Sequence, residues 1–360
     1  MKRMRIRSNI AMAILTAVVL LSCGKEQEPF RSDRPDSSVW LLPKAEVIDA
    51  GLGKDGIPSV DAPQFSSPAE IVEKFDDAFD NDLILGIEHD GEIRAYPIPM
   101  LNWHEIVNDD VNGLPLAITY CPLTGTGIGW SRMVAGALSS FGVSGLLFNN
   151  NIMPYDRRTN STWSQMQQEC VNGFLIGEKS NTYTLIETTF ATWRKAFPDS
   201  KIMNANTGFD RRYSVYPYFD YRENHDLLFF PLSHRDDRVP DKERVLGVVD
   251  EGSVRVYRFS ASTPEIDLIR DQLNGTDLII VRSTVLNFMT AYIAETGVEY
   301  QPVFDALPTL IKDSEGNLYD MAGRVVQGPN TGSKLEQPVS YMGFRFSWAA
   351  FYPDLEVFDL

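Results

Sequence analysis

Cysteine and histidine are scarce, with three cysteines and four histidines in 360 residues. No His-x-His or Glu-x-x-His spacing accompanies the histidines, and His104-Glu105 lacks the second histidine of a zinc-protease helix. Positive charge is scarce too. Lys and Arg total 33 against 49 Asp and Glu, a formal charge of −16 that becomes about −20 once the four basic residues at the N-terminus are set aside. With no Lys/Arg cluster to relieve it, such a surface repels nucleic acid and anionic lipid. Apolar runs approaching a membrane span are absent after the N-terminus, and no internal repeat is evident. Familiar loops are absent as well. Gly125-Thr126-Gly127-Ile128-Gly129-Trp130 puts tryptophan where a dinucleotide loop needs glycine and has no P-loop lysine. Gly142-Val143-Ser144-Gly145 is too short for a nucleophile elbow, and Asp313 to Asn317 lacks the length and terminal Glu of a calcium loop.

The N-terminus carries a clear pattern. Lys2, Arg3, Arg5 and Arg7 precede an apolar run from Ile10 to Leu21, which ends in Leu20-Leu21-Ser22-Cys23. The run is short for a membrane span and has the charge layout of a secretory signal. The expectation is a signal peptide over 1–22 and an acylated, palmitate-bearing Cys23. A polar tether follows over 23–38, with a globular body over 39–360. The absence of Asp after Cys23 resembles lipoproteins sorted to the outer membrane, facing periplasm or cell exterior. Attachment is then expected through lipid alone.

The body reads as short strands more often than helices. Leu83 to His89 and Glu92 to Ile98 flank Asp90-Gly91, and Arg244 to Val249 and Ser253 to Phe259 flank Asp250-Glu251-Gly252, both hairpin patterns. Leu101 to Val107, Thr188 to Phe197 and Pro264 to Leu273 read as helices, and Leu114 to Tyr120 and Leu278 to Val281 as strands. The expected class is α+β, predominantly antiparallel β with short helices, as one large domain or two tightly packed halves with a sub-boundary near 200–215.

Cys121 lies where a strand runs into Pro122-Leu123-Thr124-Gly125-Thr126-Gly127. Successive N–H groups in such a turn can form an anion nest and lower a thiol pKa. Four roles stay open: a reactive thiol assisted by His104, a soft copper site of Cys121 and His104 with Met100 or Met153, a disulfide to Cys170, or an inert buried thiol. Further on, Asn149, Asn151, Asp156, Arg157, Trp163 and Gln165 crowd functional groups into one irregular stretch. They read either as a small-ligand pocket or as loop bracing.

Asn102-Trp103-His104-Glu105, Thr119-Tyr120-Cys121-Pro122-Leu123-Thr124, Gly142-Val143-Ser144-Gly145, Tyr155-Asp156-Arg157, Thr162-Trp163-Ser164-Gln165 and Lys242-Glu243-Arg244 together resemble an uncharacterised bacterial family, domain of unknown function 3179. The resemblance spans roughly residues 50 to 355. It implies one folding unit and no established activity. Some relatives are selenoproteins or carry a second cysteine in the turn, a place taken here by Thr124, which argues against a dithiol cycle within this turn. Two functional expectations result: a thiol-dependent oxidoreductase or copper protein with an unknown redox partner, or a non-catalytic lipoprotein that binds an unknown small molecule.

Overall fold

The structure, a computed structural model, describes residues 38–238 and 240–358. The expected signal peptide, the acylated Cys23 and the tether up to residue 37 lie outside the described residues. The described residues are mostly strands in antiparallel sheets, with four short α-helices, Pro68–Phe75, Ile98–His104, Phe190–Ala196 and Arg345–Phe351. Among them no helix is long and apolar enough to cross a membrane.

Asp90-Gly91 turns Leu83–His89 into Glu92–Pro97, with both turn residues at positive φ, 46° and 84°. Asp and Gly tolerate that region, and the resulting turn matches the twist of the strands it joins. Glu251-Gly252 does the same between Arg244–Asp250 and Ser253–Arg258. Each hairpin is the centre of a sheet with one plan. The order is Ile186–Thr189, Leu83–His89, Glu92–Pro97, Lys201–Met203 in the first and Val339–Phe344, Arg244–Asp250, Ser253–Arg258, Glu356–Val357 in the second. In both, the last of these strands joins in parallel after a short helix bearing a tryptophan, Trp193 or Trp348, and then a Pro-Asp pair.

The likeness holds residue by residue. Arg94 and Tyr96 both reach the Asp109 carboxylate, at 2.6 and 2.7 Å, and Arg255 and Tyr257 reach Asp271 at 2.7 and 2.6 Å. Asn112-Gly113 and Asn274-Gly275 turn the next hairpin of each half with matching positive φ. Beyond those turns, Ile106 pairs with Thr119 as Leu268 pairs with Val281, and Cys121 pairs with Thr126 as Ser283 pairs with Phe288. Residues 83–203 and 244–358 are therefore two versions of one supersecondary plan, which corrects the expectation of no repeat. The identities that survive, Arg-x-Tyr, Asn-Gly and Trp with Pro-Asp, are too scattered to register as periodicity.

The halves share their cores. Ile84 and Ala95 of the first hairpin pack with Ile279, Val281 and Phe288 of the second half. Reciprocally, Val245, Val254 and Val256 pack with Ala117, Ile128 and Trp130 of the first. The opposite faces, Leu85 and Ile87 or Leu246 and Val248, face their own half. Alternation along each strand is what allows both faces to be buried. Two sequence expectations fail here, the first in part: the helix expected over Leu101 to Val107 ends at His104, and Ile106 and Val107 already belong to the strand Ile106–Val111. Residues 264–273 form no helix; Asp267–Leu273 is a strand, because Asn274-Gly275 closes a tight hairpin and the pairing with Thr276–Ser283 overrides local helical spacing.

Candidate functional site

The strand Leu114–Cys121 and the helix Ile98–His104 end side by side, and that convergence builds the site. Pro99 opens the helix, which closes when Glu105 N–H donates to the Leu101 carbonyl at 2.8 Å. Glu105 adopts φ 57°, ψ −32°, a positive-φ conformation in which glycine is the ordinary residue. A Cβ there costs roughly 1–2 kcal/mol. The next peptide starts the strand Ile106–Val111, and the Glu105 carbonyl accepts the Tyr120 N–H at 2.7 Å, fixing the cap against the residue before Cys121.

Glu105 is buried, and burial pushes its carboxyl up to about 8 against a weaker opposing effect of the Tyr218 hydroxyl bonded to it. Its Oε2 has no hydrogen-bond partner. It lines an otherwise largely apolar cavity of about 130 Å³ with Leu123, Leu147, Ile152 and Tyr218. Sequence reasoning passed over this residue. The available signal was an acid set between an apolar helix and an apolar strand, with no basic residue nearby in sequence.

Cys121 is fully buried among Leu123, Leu147, Ile152 and Tyr221. Its thiol donates to the Asn150 carbonyl at 3.4 Å. Burial pushes it up to about 11, opposed first by the Thr124 hydroxyl, while Glu105 raises it further and the Thr124 and Ile152 N–H groups lower it. The sulfur thus faces anion-stabilising donors but rests as a thiol. Thr124, in the place of a resolving cysteine, contributes two of those donors.

The cover over Cys121 comes from residues 204–243, which contain no strand or helix among the described residues. Tyr216, Tyr218, Leu227, Leu228 and Phe230 of this segment pack on the Cys121 cluster. Irregular stretches this long inside a compact fold are commonly functional. Several attachments hold it. Asn150 pairs with Phe230 like a strand partner, at 2.8 and 2.9 Å, and Asn149 accepts the Ser233 N–H at 2.7 Å. Trp103 donates to the Val215 carbonyl at 3.0 Å. Lys242 donates to the Tyr221, Asn224 and Leu227 carbonyls and sits 3.6 Å from the Tyr221 ring centroid. Lys242→Met removes three charge-assisted bonds from this turn. It is expected to raise the rate at which bromobimane labels Cys121 in the folded protein about tenfold or more, the rate being set by opening of the cover. Unchanged labelling would show that Lys242 does not hold it.

His104 belongs to the cover and not to the thiol. Its Nδ1 lies 2.8 Å from the Pro58 carbonyl, which only accepts, so Nδ1 carries the proton and Nε2 accepts from Tyr213 at 2.7 Å. Burial holds its pKa below the usual histidine range. Both nitrogens are thereby engaged, which leaves the copper expectation without a free imidazole. Among the described residues no group of three or more His, Cys, Asp or Glu side chains gathers as metal ligands.

Cys170 is also a free thiol, and the expected alternative of a bond to Cys121 is not formed. Its sulfur donates to the Asn172 carbonyl at 3.4 Å, it packs in a different cluster with Trp163 and Met166, and burial pushes it up to about 12. The six residues expected to line a ligand pocket do not line the cavity beside Glu105. Asn149 is a clasp on the cover. Asn151 and Gln165 close a buried network with Thr124 and Thr126. Asp156 caps the turn at Thr159 and accepts the Trp163 indole N–H at 3.2 Å. Arg157 pairs with Asp55 and Asp61. Polar side chains in that stretch satisfy backbone and one another, which is why they crowd together.

A sequence profile described as Protein of unknown function (DUF3179) matches residues 54–355. No curated protein and no solved structure matches the chain.

Proposed function

The chain belongs to the family described as Protein of unknown function (DUF3179), and from its site chemistry we propose that it is a lipid-anchored envelope protein whose Cys121 performs two-electron thiol chemistry on a small hydroperoxide. The observation that carries this reading is the meeting of three unusual features at one point. A thiol sits in a set of sulfur-directed donors, a strained and buried acid stands beside it, and a cavity is lined by that acid and by Leu123, Leu147 and Ile152, which pack on the thiol. Buried acids with perturbed pKa values beside a nucleophile mark functional sites more often than structural ones.

In the proposed step the Cys121 sulfur attacks the distal peroxide oxygen, forming an S–O bond as the O–O bond breaks. Glu105 gives its proton to the departing alkoxide and takes the thiol proton, so the products are a sulfenic acid and an alcohol. Cysteine is oxidised by two electrons and the peroxide reduced. Return to the thiol takes two electrons and two protons from an external dithiol and releases water, consistent with the lack of a resolving cysteine in the turn. The N-terminal pattern supports lipid attachment through Cys23, which would confine this chemistry to the envelope.

Treatment with tert-butyl hydroperoxide followed by dimedone is the test. A single adduct by mass spectrometry is expected on Cys121, none on Cys170, and none in Cys121→Ser. If Cys121 stays unmodified even in Lys242→Met, where the cover is loosened, the thiol reading is wrong.

A further inference from the structure

The second half shows what the first half leaves open. Asp267 stands one residue before Leu268, as Glu105 stands before Ile106, and Arg282 stands before Ser283, as Tyr120 stands before Cys121. In the second half the carboxylate is closed by its neighbour: Arg282 Nε and Nη2 lie 2.9 and 2.7 Å from Asp267 Oδ2. The turn itself is conserved in plan, since the Leu286 N–H reaches Ser283 Oγ at 3.3 Å where the Thr124 N–H faces the Cys121 sulfur. In the first half the arginine is a tyrosine, the carboxyl oxygen has no partner, and a cavity lies beside it. The fold offers a self-contained solution at this position, and the first half does not use it.

The cavity decides what could serve instead. The polar side chains lining it are Glu105, Tyr218 and Ser144. Ser144 Oγ is already committed to the Met153 carbonyl and the Leu146 N–H, and Tyr218 to Glu105. One hydrogen-bonding group remains, the Glu105 carboxyl. Its volume of about 130 Å³ compares with the 150 Å³ or so of an apolar protein cavity that accommodates benzene. We propose that this cavity is a binding site for a small, uncharged, largely apolar molecule of about six to nine non-hydrogen atoms whose single oxygen function hydrogen-bonds to the Glu105 carboxyl.

The proposal rests on the thiol reading only in taking the occupant of the site at Glu105 as the partner of Cys121; a hydroperoxide with a short alkyl group meets the same description. Charge is disfavoured because no side chain in the lining offers a counter-charge except Glu105. The titratable groups facing Glu105 are the Tyr218 hydroxyl and the Cys121 thiol, neither of which supplies a cation.

The test uses the full chain carrying Cys121→Ser, so that no covalent chemistry intervenes, with benzyl alcohol, toluene and benzylammonium as probes by ligand-observed NMR. Benzyl alcohol is expected to bind most tightly. Glu105→Leu should weaken benzyl alcohol about tenfold and leave toluene unchanged, while Glu105→Gln should retain binding within about threefold. Ala50→Trp, at an exposed position of the lining, should exclude all three without disturbing the core. Equal affinity for toluene and benzyl alcohol, preference for benzylammonium, or no binding of benzyl alcohol would overturn the proposal. If benzyl alcohol fails to bind while dimedone still traps Cys121, the occupant is wrong and the thiol reading stands; binding without trapping gives the converse.

Discussion

Glu105→Gln is expected to unfold at higher denaturant concentration than the unmodified protein, and the gap should widen from about pH 5 to about pH 9. Burial raises the Glu105 carboxyl from its ordinary 4.5 to about 8, so the folded state holds this proton more tightly than the unfolded chain does. Stability gained from holding it is fully present below pH ~4.5 and is lost as pH rises through about 8. Within that window the loss runs at about 1.4 kcal/mol per pH unit. At alkaline pH the accumulated difference is roughly 3–5 kcal/mol, a large share of the stability of an ordinary domain. Glutamine keeps the shape and the Tyr218 contact but has no proton to lose, so its stability should be nearly flat where the parent declines. Equal slopes for the two proteins between pH 6 and 9 would show that Glu105 does not titrate in this range.

That a substitution at the site should stabilise the fold is informative in itself. Asp267 with Arg282 demonstrates that the same strand, turn and sheet can carry an acid paired with an arginine at this position. Glu105 adds a left-handed backbone and an unpartnered oxygen to the cost of burying a carboxyl. Features that destabilise a fold with no structural return are the usual mark of residues kept for chemistry.

Much of this frame was legible in the sequence, and the reasons are local. Asp90-Gly91 and Glu251-Gly252 demand positive φ in a two-residue turn, so both hairpins could be read directly. The end of the Leu114–Cys121 strand was legible because a continuous apolar run meets a glycine-bearing turn. The site was half legible. Cys121 stood out by rarity, but its true companion was hidden because the contact between residues 105 and 218 is non-local and Glu105, though inside the Asn102 to Glu105 motif, has no spacing that marks it as an acid for chemistry. His104, one residue away, drew attention by type alone. The duplication was hidden for a different reason. What the halves share is strand register and a few side-chain triads such as Arg94, Tyr96 and Asp109, and packing tolerates wide substitution everywhere else. The Asn149 to Gln165 stretch misled because residues that satisfy buried backbone look the same in sequence as residues that line a pocket.

The duplication carries the second large expected effect. Gly86→Ala and Gly247→Ala should each destabilise the protein by about 3 kcal/mol or more, far beyond the cost of alanine in a strand. Neither glycine is a turn residue; each lies mid-strand, where a Cβ would meet the tryptophan of the adjoining helix. The added carbon would stand 2.0 Å from Trp193 Cη2 at Gly86 and 2.2 Å from Trp348 Cζ2 at Gly247. Both indoles are fully buried, so neither can swing aside without opening a core. Trp193→Leu should recover part of the loss in Gly86→Ala, making the pair less than additive, because the clash and the ring are one interaction. The two sites also test how the halves depend on each other. Gly86 and Trp193 face a cluster completed by Ile279, Val281 and Phe288, and Gly247 and Trp348 face one completed by Ala117, Ile128 and Trp130. Each substitution should therefore lower the midpoint of one shared unfolding transition, read alike by near-UV and far-UV circular dichroism. Two separated transitions, with only the substituted half destabilised, would mean that the halves do not complete each other's cores.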